Sequence, residues 1–124
     1  MSLPNDRDHC RSEVSRILSG LGVEAGDLIY LGIDMAHVPL PPFAGELSRE
    51  AIRAHRENSC RFLLDSIRDH LGSEGTLLAP SFSYSMAGPD MVFHHESTPS
   101  ENGPFTEFIR SQPDAIRSLH PMFS

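Results

Sequence analysis

Lysine is absent. All ten basic residues are arginine, set against 17 acidic ones, and the formal net charge is −7. The arginines are scattered as helix-face charges, with no basic stripe interleaved with aromatics, which argues against a nucleic-acid-binding face. Cysteine is scarce as well: Cys10 and Cys60 stand alone without a Cys-x-x-Cys spacing. Neither a zinc knuckle nor a disulfide framework is indicated, and both thiols are expected buried and reduced. No run of about 18 apolar residues could span a bilayer, and residues 1–8 lack the basic-then-apolar layout of a signal peptide. A soluble, cytoplasmic protein with no membrane partner is expected. No G-x-G-x-x-G or Walker cradle and no G-x-S-x-G elbow occurs, which removes the common dinucleotide, P-loop and hydrolase readings. What remains is 124 residues, 39% apolar, enough for a single domain over 1–124 or for half of a larger one.

Between Arg68 and Arg110 the chain has no basic residue, while Asp69, Glu74, Asp90, Glu96, Glu101 and Glu107 fall there. Such a stretch is either a solvated acidic face or a surface that attracts a cationic small molecule.

Periodicity then predicts the elements. Cys10, Val14, Ile17, Leu18 and Leu21 fall at helical spacing over residues 7–21, with Asp6 and Asp8 as caps and Gly20 or Gly22 as a stop. Residues 28–33, LIYLGI, form a continuous apolar run of strand length, the pattern of a strand covered on both faces. Residues 37–45 carry three prolines and read as a surface excursion. Ser48 can cap a long helix reaching Leu71, with Ile52, Cys60, Leu63, Leu64, Ile67 and Leu71 as its apolar stripe and Gly72 beyond its end. A second strand is expected over 76–82, a long loop over 86–103, a short helix opened by Pro104, and an approach to a third strand over 115–120. Strand, helix and strand make a βαβ unit, whose ligands bind beyond the strands' carboxyl ends, here near Asp34-Met35 and near Ser81–Tyr84.

The chemistry-bearing residues each admit two uses. Ser81, Ser83 and Ser85 alternate with Phe82 and Tyr84, so three hydroxyls can line one side of a strand end or simply alternate on a half-exposed strand. Asp34 can orient an amine or accept a backbone N–H of the following turn. Arg117 and Ser118 suit a pyrophosphate, or the pinning of a loop through its carbonyls. His120 can donate to a carbonyl or phosphate, or sit in a core with its hydrogen bonds satisfied. The adjacent His94-His95-Glu96 lacks the spacing of a zinc site, and no metal is expected.

Four strings taken in order carry a resemblance: Gly26–Leu31, Leu71–Ser83, Thr98–Gly103 and Arg117–Ser124, the last reading RSLHPMFS. Together they resemble the aminoglycoside 3-N-acetyltransferase family. The resemblance implies a three-layer α/β/α fold with a mixed sheet, and acetyl transfer from acetyl-CoA to a primary amine of an aminoglycoside or amino sugar, with no metal. By the same resemblance Asp34, Met35, Arg117, Ser118, His120 and Ser124 lie near the cofactor, and Ser81, Ser83, Tyr84, Thr98 and Glu101 line the substrate cleft. Where the family commonly reads His-x-Ser-Leu after the first strand, this chain reads Gly32-Ile33-Asp34-Met35, which exchanges an imidazole and a hydroxyl for a carboxylate and opens the acceptor to other amines. The chain stops inside the last motif and is expected to be the N-terminal half of the family fold. The catalytic base is then expected in the other half, and this half alone is expected to be inactive. The alternative is a non-catalytic CoA-binding or pairing fragment, and a homo-oligomer is a further expectation.

Overall fold

The computed structural model describes residues 6–119. Its elements run α1 (Asp6–Gly20), β1 (Leu28–Tyr30), a 3-10 turn (Met35–His37), α2 (Arg49–Leu71), β2 (Thr76–Leu78), a second 3-10 turn (Tyr84–Ala87) and α3 (Pro104–Arg110). The strands β1 and β2 pair in a two-stranded parallel sheet, bounded by Thr76 N–H to Asp27 O at 2.9 Å and Leu31 N–H to Leu78 O at 2.9 Å. The fold is thus mixed α/β. The chain divides into two compact units: one takes the described residues up to Ile29 together with Ala36–Leu77, the other Tyr30–Met35 with the chain from Leu78 onward.

In the first unit α1 packs on α2. Ser48 is the N-cap of α2, its hydroxyl accepting from Ala51 N–H at 3.1 Å, and Gly72 ends the helix at φ 71°, a conformation that favours glycine. Cys10, Val14 and Leu18 of α1 meet a buried α2 face of Cys60, Phe62, Leu63, Leu64, Ile67 and Leu71. Phe62, Leu63 and Ile67 are almost fully enclosed, and each such side chain contributes about 1.5–3 kcal/mol of burial. Arg7 and Arg11 stack their guanidinium groups over the Phe62 ring at 5.0 and 5.7 Å. His70 locks the end of α2 to the loop after α1: its Nε2 donates to Val23 O at 2.7 Å, and its Nδ1 lies 2.9 Å from Ser15 Oγ.

Several expectations are corrected here. Ile17 and Leu21 of α1 and Ile52 of α2 are exposed, because the two helices share a narrower seam than the full apolar stripe. Phe62 and the small Ser59 and Ser66 fill that seam instead, Ser66 returning its hydroxyl to Phe62 O at 2.7 Å. The strand run is shorter than its apolar length and is not covered on both faces: Leu28 is 66%, Tyr30 62% and Leu78 44% exposed. Residues 115–119 form no strand.

Candidate functional site

The second unit is organised around the polar tip that follows β2. Residues 81–85 leave the strand and run beside the loop at 98–102, zipped to it by backbone and side-chain bonds. Phe82 donates its N–H to Asn102 Oδ1 at 2.5 Å, and its carbonyl accepts from Glu101 N–H at 2.7 Å. Ser83, fully buried, donates its hydroxyl to Pro99 O at 2.8 Å. Ser85 gives both its N–H and its hydroxyl to the Glu101 carboxylate, at 3.0 and 2.9 Å. Phe82 and Tyr84 meet edge to face, 5.7 Å apart.

A second layer of bonds supports the loop from α3. Gly103, at φ 102°, turns the chain into the helix, and Pro104 takes its first turn. Glu107 accepts Ser100 N–H at 2.7 Å and pairs with the Arg110 guanidinium. Burial works against that carboxylate, yet the Arg110 fork and the Ser100 N–H outweigh it and hold Glu107 below the ordinary carboxylate range. The same pairing raises Arg110 above its ordinary value. Arg110 also donates to Glu96 O at 2.9 Å, and Ser100 Oγ meets Thr106 Oγ1 at 2.9 Å.

Arg117 closes the arrangement. Its Nη1 donates to Thr98 O, and its Nη2 donates to Ser81 O and to Ser83 Oγ, both at 3.0 Å. The guanidinium lies over the Phe93 ring, 4.7 Å from its centre, while the Arg117 carbonyl accepts from His95 Nε2 at 2.5 Å. Burial first, then the nearby Arg110 charge, pushes the Arg117 guanidinium down from its ordinary value, with Glu107 opposing.

The residues singled out from the sequence fall into three places. Ser81, Ser83, Thr98 and Arg117 are brought together; Tyr84 and Glu101 stand exposed at the edge of that cluster. The three serines do not present one row of hydroxyls: Ser81 and Ser83 are buried, Ser85 is exposed and tied to Glu101, and the Ser81 hydroxyl has no protein partner among the described residues. Asp34 is exposed and Met35, half-buried, opens the 3-10 turn after β1, while Ser118 is exposed. His120 and Ser124 lie outside the described residues. Among the described residues no group of three or more His, Cys, Asp or Glu could hold a metal ion, and no helix is long and apolar enough to cross a membrane. Asn102, Glu107 and Arg110 were not singled out from the sequence. The i, i+3 spacing of Glu107 and Arg110 on a short helix was a usable signal, whereas nothing local reveals that Asn102 reaches back twenty residues to Phe82.

A parallel β-α-β pair with a hydrogen-bonded polar tip is the ground plan of an α/β enzyme that binds its ligands at the strand ends. The profile of the aminoglycoside 3-N-acetyltransferase family matches residues 48–124, more than half of the chain and all of the tip, loop and α3 just described. The chain belongs to the aminoglycoside 3-N-acetyltransferase family. Among solved structures it is similar to the YokD protein from Bacillus subtilis, with a TM-score of 0.64 and 19% sequence identity over 91% of this chain and 47% of that one. That likeness is one of fold, and the chain spans about half the length of this structural relative. No curated protein matches the sequence.

Proposed function

We propose that the chain is the N-terminal portion of an acetyl-CoA-dependent N-acetyltransferase acting on a primary amine of an aminoglycoside or amino sugar. The observation that carries this reading is the family match across 48–124. In the complete domain these elements belong to a three-layer α/β/α fold with a mixed sheet, working in the cytoplasm as one domain. The cofactor arm runs past Asp34 and Met35, at the end of β1, and past the 117–124 segment with Arg117, Ser118, His120 and Ser124. The acceptor lies against the tip and loop, with Ser81, Ser83, Tyr84, Thr98 and Glu101 around it. Glu101, exposed and anionic beside Tyr84, is suited to a protonated amine.

The reaction is direct transfer. The neutral amine nitrogen attacks the thioester carbonyl carbon, the C–S bond breaks, CoA leaves as its thiolate, and one proton is lost from the amine. An amine protonated at neutral pH is not a nucleophile, so a base must act first. That base is assigned to the remainder of the domain, and no catalytic residue is assigned among those described.

The test is an amide proton–nitrogen NMR spectrum of the chain recorded with and without acetyl-CoA. Shifts at residues 34–36 and 117–124 are expected. A dispersed spectrum indifferent to acetyl-CoA sinks the reading for this segment. A second reading is favoured by the exposure of Leu28, Tyr30 and Leu78 on the sheet: a non-catalytic chain that pairs with another copy or with a chain supplying further strands. It calls for association that strengthens with concentration and for no turnover.

A further inference from the structure

Arg117 is the joint between three stretches of chain that sequence separation would let drift apart. We infer that it is a positioning residue, which fixes the 81–85 tip and the 98–102 loop in one arrangement and so sets the acceptor side of the cleft. That purpose rests on the acetyltransferase reading above, while the clamp itself stands on geometry alone.

A guanidinium is planar and offers its N–H groups in a fixed fork. Both Nη2 hydrogens are engaged, on Ser81 O and Ser83 Oγ; Nη1 reaches Thr98 O; and one face covers Phe93. Withdrawing these donors to grip a phosphate would strip the Ser81 and Thr98 carbonyls of their charged partner, which is costly for part-buried acceptors. The Ser83 hydroxyl, accepting from Arg117, sends its own hydrogen to Pro99 O. A single cation thereby dictates the direction of a buried hydroxyl on the tip and the path of the loop opposite. Lysine keeps the charge but not the fork: one ammonium cannot lie flat on Phe93 and serve both strands of acceptors.

The experiment compares the full chain with its Arg117→Lys and Ser83→Ala variants by amide hydrogen exchange, and then by titration with acetyl-CoA and, separately, with kanamycin. In Arg117→Lys, exchange at Phe82, Thr98 and Glu101 is expected to accelerate by about tenfold or more while amides of α1 and α2 stay within about twofold. Ser83→Ala, which removes one acceptor and leaves the fork, is expected to loosen the same amides by a smaller factor. Kanamycin binding is expected to weaken about tenfold in Arg117→Lys with acetyl-CoA affinity held within about threefold; a general loss of structure would lower both together. Unchanged exchange at Phe82, Thr98 and Glu101, acceleration spread evenly over the whole chain, or a selective loss of acetyl-CoA affinity each overturns the clamp. If the unmodified chain binds neither ligand, the acetyltransferase reading fails and the exchange pattern alone decides: local acceleration upholds the clamp, and an unchanged or uniform pattern removes it.

Discussion

Gly75 stands so close to Leu71 that a Cβ placed on it would lie 2.6 Å from the Leu71 Cβ and 2.8 Å from the Leu71 carbonyl oxygen. The same carbonyl accepts Gly26 N–H at 2.8 Å. Helix end, turn and strand start are therefore drawn together at a point with no room for a side chain.

Gly75→Ala is accordingly expected to destabilise the chain by about 1–3 kcal/mol, the usual cost of overpacking a tight site. Urea unfolding followed by circular dichroism measures it. A loss below a few tenths of a kcal/mol would mean the turn opens freely and the contact has no energetic weight.

The opposite end of α2 gives a second prediction. Ser48 accepts Ala51 N–H in an extended N-cap conformation, so Ser48→Ala should cost about 1 kcal/mol and Ser48→Asp close to nothing. Thermal melts of the pair separate the loss of the cap from any unrelated effect of changing the residue.

Glu107 predicts a pH dependence. Its carboxyl is held below the ordinary range, so the unfolded chain binds the proton more readily than the folded one. The stability it contributes is complete above the ordinary glutamate pKa and is lost as pH falls through the depressed folded value. Glu107→Gln should lower stability at neutral pH and flatten this acid limb. Equal acid slopes in the two proteins would contradict the prediction.

The thiols give a fourth. Burial pushes Cys10 up, assisted by Asp6 and Glu13, and burial likewise pushes Cys60 up against the pull of Arg56. With little thiolate and little access, both should react with iodoacetamide at least about tenfold more slowly in the native chain than in denaturant. Rapid labelling of native Cys60 would show that the α1–α2 seam opens readily.

How far these features could be foreseen depended on whether their cause was local. The caps of α2, its length, the Pro104 start of α3 and the turn at Gly72 follow from residues adjacent to the feature they create, and they were legible. Burial was not local. Ile17 and Ile52 carry the right period yet face water, and Phe62 lies off the expected stripe yet is enclosed, because the seam is defined by the partner helix. The apolar run at 28–33 implied cover on both faces, a property of whatever lies above the strand and not of the strand. At the site, Arg117 was readable as a loop pin or a phosphate ligand, and the guanidinium's three acceptors are the first evidence between them. The Phe82 to Asn102 bond had no sequence signature at all.

Leu28, Tyr30 and Leu78 sit in water on a short pair of extended strands. Extended apolar segments of this kind are what chaperones and quality-control proteases read. The lifetime of this chain in a cell then depends on how long that face stays open, and internal packing of α1 on α2, however tight, does nothing to hide it.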